Sequence, residues 1–146
     1  MNTVPKLLSA ITGLFLALVC LVIPMKENAF LLSVKTPVTT DATQLVLVYK
    51  NQTGRPVHFC EDKYYAERKT KDGWVPEPRL NRTTVREVMT EIQPGLGDQQ
   101  TIALTEPLDA GEYRILQPYI VETYTLESPF AQVNRTHTAT VEFTVS

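Results

Sequence analysis

The one stretch of this 146-residue sequence whose residue types could do chemistry together is His58-Phe59-Cys60-Glu61-Asp62. In an extended segment His58 and Cys60 would share a face, because successive side chains alternate, and imidazole with thiolate is a zinc donor pair. Two donors do not make a zinc site. The second histidine, His137, would have to arrive from another strand together with a fourth group. The competing reading is a loop holding one buried thiol among solvated acids. For nucleophilic chemistry there is no Gly-x-Ser-x-Gly turn, and either histidine would need a nucleophile and an orienting acid supplied by the fold. Glu61, Asp62, Glu67 and Glu87 are scattered among basic neighbours, as on a solvated face, rather than set as a glycosidase pair. No cofactor is implied. A small metal-dependent or thiol enzyme centred on His58 and Cys60 is therefore the alternative, and a non-enzymatic module is the leading expectation.

The elements that would position these residues are bounded first by composition. The length suits one domain, and 43% hydrophobic residues are enough for a core. The formal net charge is −2, and residues 31–146 keep 12 basic and 15 acidic side chains, a mildly acidic surface. A cationic stripe of the kind that neutralises a phosphate backbone is missing, which excludes nucleic acid as a partner. The two cysteines cannot form a fold-holding bridge if Cys20 sits in a membrane segment or is removed, so the domain must stand on its core. Cys60 then reads as a small buried hydrophobe, an intermolecular link or a reactive thiol.

Cys20 falls in an uncharged apolar run from Leu7 to Ile23, preceded by Lys6 and followed by Pro24 and the Lys26-Glu27 pair. This is the plan of an export signal, so residues 1–30 are expected to form a hydrophobic helix that directs residues 31–146 out of the cytoplasm. The run is long for a signal core and at the lower limit for spanning a bilayer, and no small-x-small cleavage site follows it. A cleaved signal peptide, giving a secreted domain, and an uncleaved anchor in the cytoplasmic membrane both fit. Val19 before Cys20 is not the small residue a lipidation signal needs. Positive charge at Lys6 and the amino terminus places the N-terminus inside.

Beyond this segment the chain reads as strands separated by turns. Phe30 to Lys35 is a first edge strand ending before Thr36-Pro37. Thr43 to Tyr49 is continuous, β-branched and aromatic, a strand central in a sheet or buried on both sides. Asn51 to Pro56 is a cluster of turn formers. Val57 to Cys60 and Tyr64 to Lys69 are further strands, and Asp72-Gly73 turns the second into Trp74-Val75. Arg82 to Ile92 fits either a short helix or a strand. Pro94-Gly95 and Gly97-Asp98 read as turns before a short strand from Thr101 to Leu104. Tyr119 to Tyr124 and Ala139 to Val145 complete the set. About seven short strands without strand–helix alternation predict an all-β, antiparallel Greek-key sandwich.

The strongest local signal is Leu108-Asp109-Ala110-Gly111-Glu112-Tyr113, the spacing of a tyrosine corner. Leu108, Gly111 and Tyr113 are its structural residues: the glycine permits the turn, and the tyrosine returns its hydroxyl to a backbone group upstream. With Val48-Tyr49-Lys50-Asn51-Gln52-Thr53-Gly54, Tyr65-Ala66-Glu67-Arg68-Lys69, Asp72-Gly73-Trp74, Ile92-Gln93-Pro94-Gly95 and Val141-Glu142-Phe143 in the same order, the chain from about Val34 to Val145 resembles the bacterial immunoglobulin-like domain family of exported Gram-positive proteins. The resemblance implies an Ig-like fold outside the membrane without catalysis, and it brings no functional residues. Cys60 and the tail Ser128 to Thr138 are not part of its pattern.

Amphipathic rings suit a binding surface, so Tyr64, Tyr65, Tyr119 and Tyr124 are the candidate contacts for an unidentified protein or cell-wall polymer. Asn51-Gln52-Thr53, Asn81-Arg82-Thr83 and Asn134-Arg135-Thr136 match the glycosylation acceptor, read here as chance matches that mark surface loops.

Overall fold

Alternation of buried and exposed residues, the signature of a strand with one wet face, governs most of the chain. The computed structural model describes residues 29–81, 87–125 and 128–146, with side chains 123–135 outside the description. Among these residues there are nine strands and no helix. They are β1 (Phe30–Val34), β2 (Gln44–Asn51), β3 (Val57–Cys60), β4 (Tyr65–Thr70), β5 (Gly73–Pro76), β6 (Met89–Ile92), β7 (Gly97–Ala103), β8 (Gly111–Thr125) and β9 (Ser128–Val145). β1, β2 and β7 form a three-stranded antiparallel sheet, and the other six form a second antiparallel sheet around β8. The expected two-sheet all-β architecture is present. The expected N-terminal helix lies in residues outside the description.

The core lies between the sheets. Phe30, Leu32, Leu45, Leu47, Tyr49 and Ile102 of the first sheet are buried against Val57, Phe59, Ala66, Tyr113, Ile115 and Phe143 of the second. Its centre is aromatic: Tyr49 lies 4.5 Å from Phe59, and Phe30 lies 5.5 Å from Phe59 and 4.8 Å from Tyr119. Offset and tilted rings at these separations add to what burial of their area contributes. β2 is central in its sheet, but only one of its faces is buried, since Val46 and Val48 are half exposed.

Several sequence expectations change in detail. Gly97-Asp98 is not a turn but the start of β7, where Lys50 pairs with Gly97. A Cβ at Gly97 would meet the Tyr49 carbonyl oxygen at 2.6 Å, so only glycine lets the strands approach there. Tyr119 to Tyr124 is not a separate strand, because β8 runs through Pro118 without interruption. Ser128 to Thr138 is not a tail but the first part of β9, which pairs with β8 over nearly its whole length. Within the ambiguous stretch Arg82 to Ile92, Met89–Ile92 is strand β6, and residues 82–86 lie outside the description.

β8 carries two partners end to end on one side. β3 pairs Val57 with Val121, and continuing that register would set Tyr65 against Tyr113. Tyr65 instead pairs with Leu116, so three residues are looped out between β3 and β4. The loop turns main-chain carbonyls inward, where they need donors. Gln117 Nε2 donates to the carbonyls of Cys60 at 3.1 Å and Lys63 at 3.4 Å, and Gln100 Nε2 donates to that of Glu61 at 2.9 Å. The Tyr49 hydroxyl donates to Gln100 Oε1 at 2.7 Å, which ties the network to the first sheet.

At the far end, the Tyr113 hydroxyl donates to the Asp109 carbonyl at 2.8 Å, and Gly111 adopts φ 155°. The corner loop is clamped from below by Arg79, whose Nη1 reaches the Pro107 carbonyl at 2.8 Å and whose Nη2 reaches Asp109 at 3.0 Å. Arg79 also binds the buried Glu77 carboxylate through Nε and Nη2 at 2.8 and 3.0 Å. The hydrogen bonds from Arg79 hold the Glu77 carboxyl below its ordinary value of 4.5.

Two outcomes test this frame. Gln117→Leu keeps the volume but removes the donor for buried carbonyls, and should cost about 2–4 kcal/mol in denaturant unfolding; a loss under about 0.5 kcal/mol would mean the carbonyls find other donors. Because the folded pKa of Glu77 lies below the unfolded one, its contribution is complete above about pH 4.5 and drains away as the pH falls through the folded value. Glu77→Gln should therefore lower stability at pH 7 and flatten the stability curve between about pH 5 and 3, read by thermal unfolding.

Candidate functional site

In β3 the buried residues Val57 and Phe59 point to the core, so His58 alternates to the outer face of the six-stranded sheet. The neighbouring strands bring their outward residues beside it by register. Glu91 of β6 stands opposite His58, Met89 stands opposite Cys60, and Ile120 of β8 stands opposite His58 on the other side. His58, Cys60, Met89 and Ile120, together with Lys63, Glu87 and Pro118, line a concave groove of about 330 Å³. His58 and Cys60 thus do border one cavity, as their spacing predicts.

The groove is apolar along its floor and polar at both ends. Met89 is 55% exposed and its neighbour Val88 is 63% exposed, so hydrocarbon and thioether face water here. At one end Lys63 Nζ meets Glu87 Oε1 at 2.8 Å, which moves the lysine upward and the carboxyl downward from their ordinary pKa values. At the other end His58 stands between two carboxylates. Its Nε2 is 2.8 Å from Glu122 Oε1 and its Nδ1 is 3.6 Å from Glu91 Oε2. His58 and Glu122 side chains are each 22% exposed, whereas Glu91 is 47% exposed.

This arrangement settles which partners His58 has. With both ring nitrogens directed at carboxylates, neither is aimed at Cys60 as a base for thiol chemistry would be. His137 cannot join it: it pairs with Tyr119, whose ring it stacks on at 5.3 Å, and that position projects to the opposite face from Ile120 and His58. His58, Cys60 and His137, weighed as zinc donors in the sequence, are therefore not assembled, and His58 is instead grouped with Glu91 and Glu122.

Of the four tyrosines expected as contacts, Tyr64 is buried, with its hydroxyl donating to the Leu80 carbonyl at 2.7 Å, so it is a core residue and not a surface contact. Tyr119 is half buried and packs inward on Phe30. Tyr65 is 65% exposed. The side chain of Tyr124 lies outside the described residues. The corner residues Leu108 and Tyr113 are buried. Asn51 is fully buried rather than a loop residue: its Nδ2 donates to the carbonyls of Arg55 and Ile92, both at 2.7 Å, and its Oδ1 accepts from the Thr53 amide and hydroxyl. Asn81 is also occupied, bonding both main-chain groups of Ala66 as a neighbouring strand would.

Met89 and Ile120, which line the groove, and Glu91 and Glu122, which flank His58, are the residues that sequence reasoning missed. Their convergence is a matter of strand register, and only the alternation of Met89 and Glu91 against Ile92 marked them as outward.

Residues 26–131, well over half of the chain, match the family described as bacterial Ig-like domain. No curated protein and no solved structure matches the chain.

The two adjacent tyrosines give a direct check on which surface is available. Tyr64→Ala should lose about 3–5 kcal/mol of stability, as for other large buried rings, while Tyr65→Ala should stay within about 0.5 kcal/mol of the parent. Thermal unfolding of both variants measures it, and equal losses would contradict their assigned sides.

Proposed function

The chain belongs to the bacterial Ig-like domain family, and from that premise we propose that it is a non-enzymatic module that works outside the cytoplasm by binding a protein or a cell-wall polymer. The outer face of the six-stranded sheet is the binding surface in this reading. The observation that carries it is the groove over Cys60, Pro118 and Ile120, bordered by the exposed Met89. An apolar concavity with charged ends is what a partner's side chain can fill while its polar groups are matched at the rim. The outer face of the three-stranded sheet carries its own, more open hollow along Val48, Lys50, Gly97 and Gln99, but Ser33, Gln99 and Thr101 are exposed on that face with only Leu31 among the large exposed hydrophobics.

Export rests on the apolar run from Leu7 to Ile23, read as a signal peptide or an anchor, in the envelope of a Gram-positive cell. Among the described residues no helix is long and apolar enough to cross a membrane, so in this reading any tether is that run. A non-catalytic role is supported by the ring nitrogens of His58, which are directed at Glu91 and Glu122 and not at the thiol of the groove.

The test is site-specific crosslinking in a Gram-positive host. The full chain carries a photoreactive residue in place of Met89 or, separately, in place of Leu31 on the other sheet. Crosslinks to an envelope protein or retention on wall material should be several-fold more frequent from position 89. Equal yields from both positions would overturn the assigned face, and resistance of the domain to protease added to intact, wall-stripped cells would overturn its location.

A further inference from the structure

We propose that His58, Glu91 and Glu122 form a binding site for a divalent ion of the zinc class at the polar end of the groove. His58 Nδ1 and the Glu91 carboxylate are the protein ligands, water completes the shell in place of the further protein donors that a closed zinc site needs, and Glu122 is the carboxylate that orients the imidazole. This goes beyond the binding role above and stands or falls separately from it.

The first argument is charge. Glu67, Glu77, Glu87 and Glu112 each face a lysine or arginine: Arg114, Arg79, Lys63 and Lys69 respectively. Among the described ion pairs, Glu91 and Glu122 have only His58, which they share. The nearby Arg55 guanidinium contacts the main-chain carbonyl of Glu122 at 3.3 Å, and the Gln93 amide donates to Glu91. Neither supplies the ion pair that those four glutamates have. Two carboxylates and one imidazole leave a local excess of negative charge, which a divalent cation offsets.

The second argument is the inventory of protons. In the neutral tautomer that carries its one N–H on Nε2, that hydrogen is donated to Glu122 Oε1 across 2.8 Å. Nδ1 then presents a lone pair to the lone pairs of Glu91 Oε2 across 3.6 Å. That gap has the width of a metal and not of a hydrogen bond. With metal bonds of about 2.0–2.2 Å, donors this far apart subtend roughly 110–125°, within the range of a tetrahedral ion. A ligating histidine ordinarily donates its second ring N–H to a carboxylate, and Glu122 occupies that place.

The third argument is rigidity and donor type. The residues sit on three neighbouring strands, with His58 opposite Glu91 in one ladder and opposite Ile120, two residues before Glu122, in the other. The Glu122 amide continues that ladder to the Pro56 carbonyl at 3.3 Å. One donor atom from each of the three side chains can be chosen so that all lie within 4.8 Å of one another. An imidazole with a carboxylate selects zinc and its neighbours over calcium or magnesium, which take oxygen ligands.

The experiment is calorimetric titration of chelator-treated full chain with zinc chloride at neutral pH. Saturable uptake of one equivalent is expected. His58→Ala and Glu91→Gln should each weaken it about tenfold or more, and Glu122→Gln roughly tenfold through the orientation of the ring. His137→Ala should bind as the parent does. Glu91→Gln changes an exposed side chain, and an unshifted melting temperature without metal shows that its fold is intact. Absence of saturable uptake by the parent, as for an imidazolium simply bridging two carboxylates, would overturn the proposal, and so would a Glu91→Gln variant that binds as tightly as the parent. Unweakened binding by Glu122→Gln would remove the orienting role.

Discussion

The structure depends on keeping buried carbonyls satisfied where one strand becomes two. β8 is long enough to need partners along its whole side, but β3 and β4 reach it in registers three residues apart. Without donors, the carbonyls of Cys60, Glu61 and Lys63 would make this break more costly than any single apolar contact could repay. Two glutamines resolve it, Gln117 from β8 and Gln100 from the opposite sheet, and the Tyr49 hydroxyl joins the second to the aromatic core. The polar network is therefore also the tie between the sheets at this level, and its groups leave no buried side-chain donor or acceptor unsatisfied among the described residues. Burial alone would not fix this geometry, since apolar contact is indifferent to direction, whereas each amide accepts few arrangements.

The groove is a by-product of the same break. Ending β3 at Cys60 leaves β6 as its short outer neighbour, so the outward side chains of β3, β6 and β8 stand around a hollow instead of a flat sheet. Asn51 fixes the other end: it holds the turn between β2 and β3 to the carbonyl of Ile92 of β6, the residue next to Glu91. The positions of His58 and Glu91 are thus set by buried polar bonds on either side of them. The tight pairing of Glu77 and Arg79 under the Leu108 to Tyr113 corner is a separate anchor, at the opposite end of β8.

What the sequence disclosed was mostly local. The corner is legible because leucine, glycine and tyrosine must stand at fixed offsets for one turn to form, and the hairpin at Asp72-Gly73 is legible for a similar reason. Strand lengths were less so. Pro118 suggested a boundary because a proline lacks a ladder donor, yet its carbonyl accepts from Gln117 Nε2 at 3.1 Å, so its missing N–H falls beside the break and not in a ladder. Tyr64 and Tyr65 are indistinguishable by type and differ only in which face each takes after the looped-out residues. The cluster of His58, Glu91 and Glu122 was illegible, because residues 58, 91 and 122 meet only once two antiparallel registers are known, and a slip of one residue in either would send a carboxylate to the core side.

The pairing of β2 with β7 sets the order in which the domain can assemble. Leu45 lies against Ile102, and Lys35 to Val38 are reached by bonds from β2 and from Val145 and Ser146, so the three-stranded sheet is closed by residues far apart in the chain. The β8–β9 ribbon, by contrast, joins neighbours through a short connection and pays little entropy to zip. Local ribbon first and distant sheet last is the sequence this topology imposes, and the high share of long-range pairings puts the rate among slow β-folds, in milliseconds to seconds. With the β2–β7 ladder open, β2 presents an unpaired edge that carries Leu45, Val46, Leu47 and Val48, so loss of that ladder is the opening that most exposes this chain to aggregation.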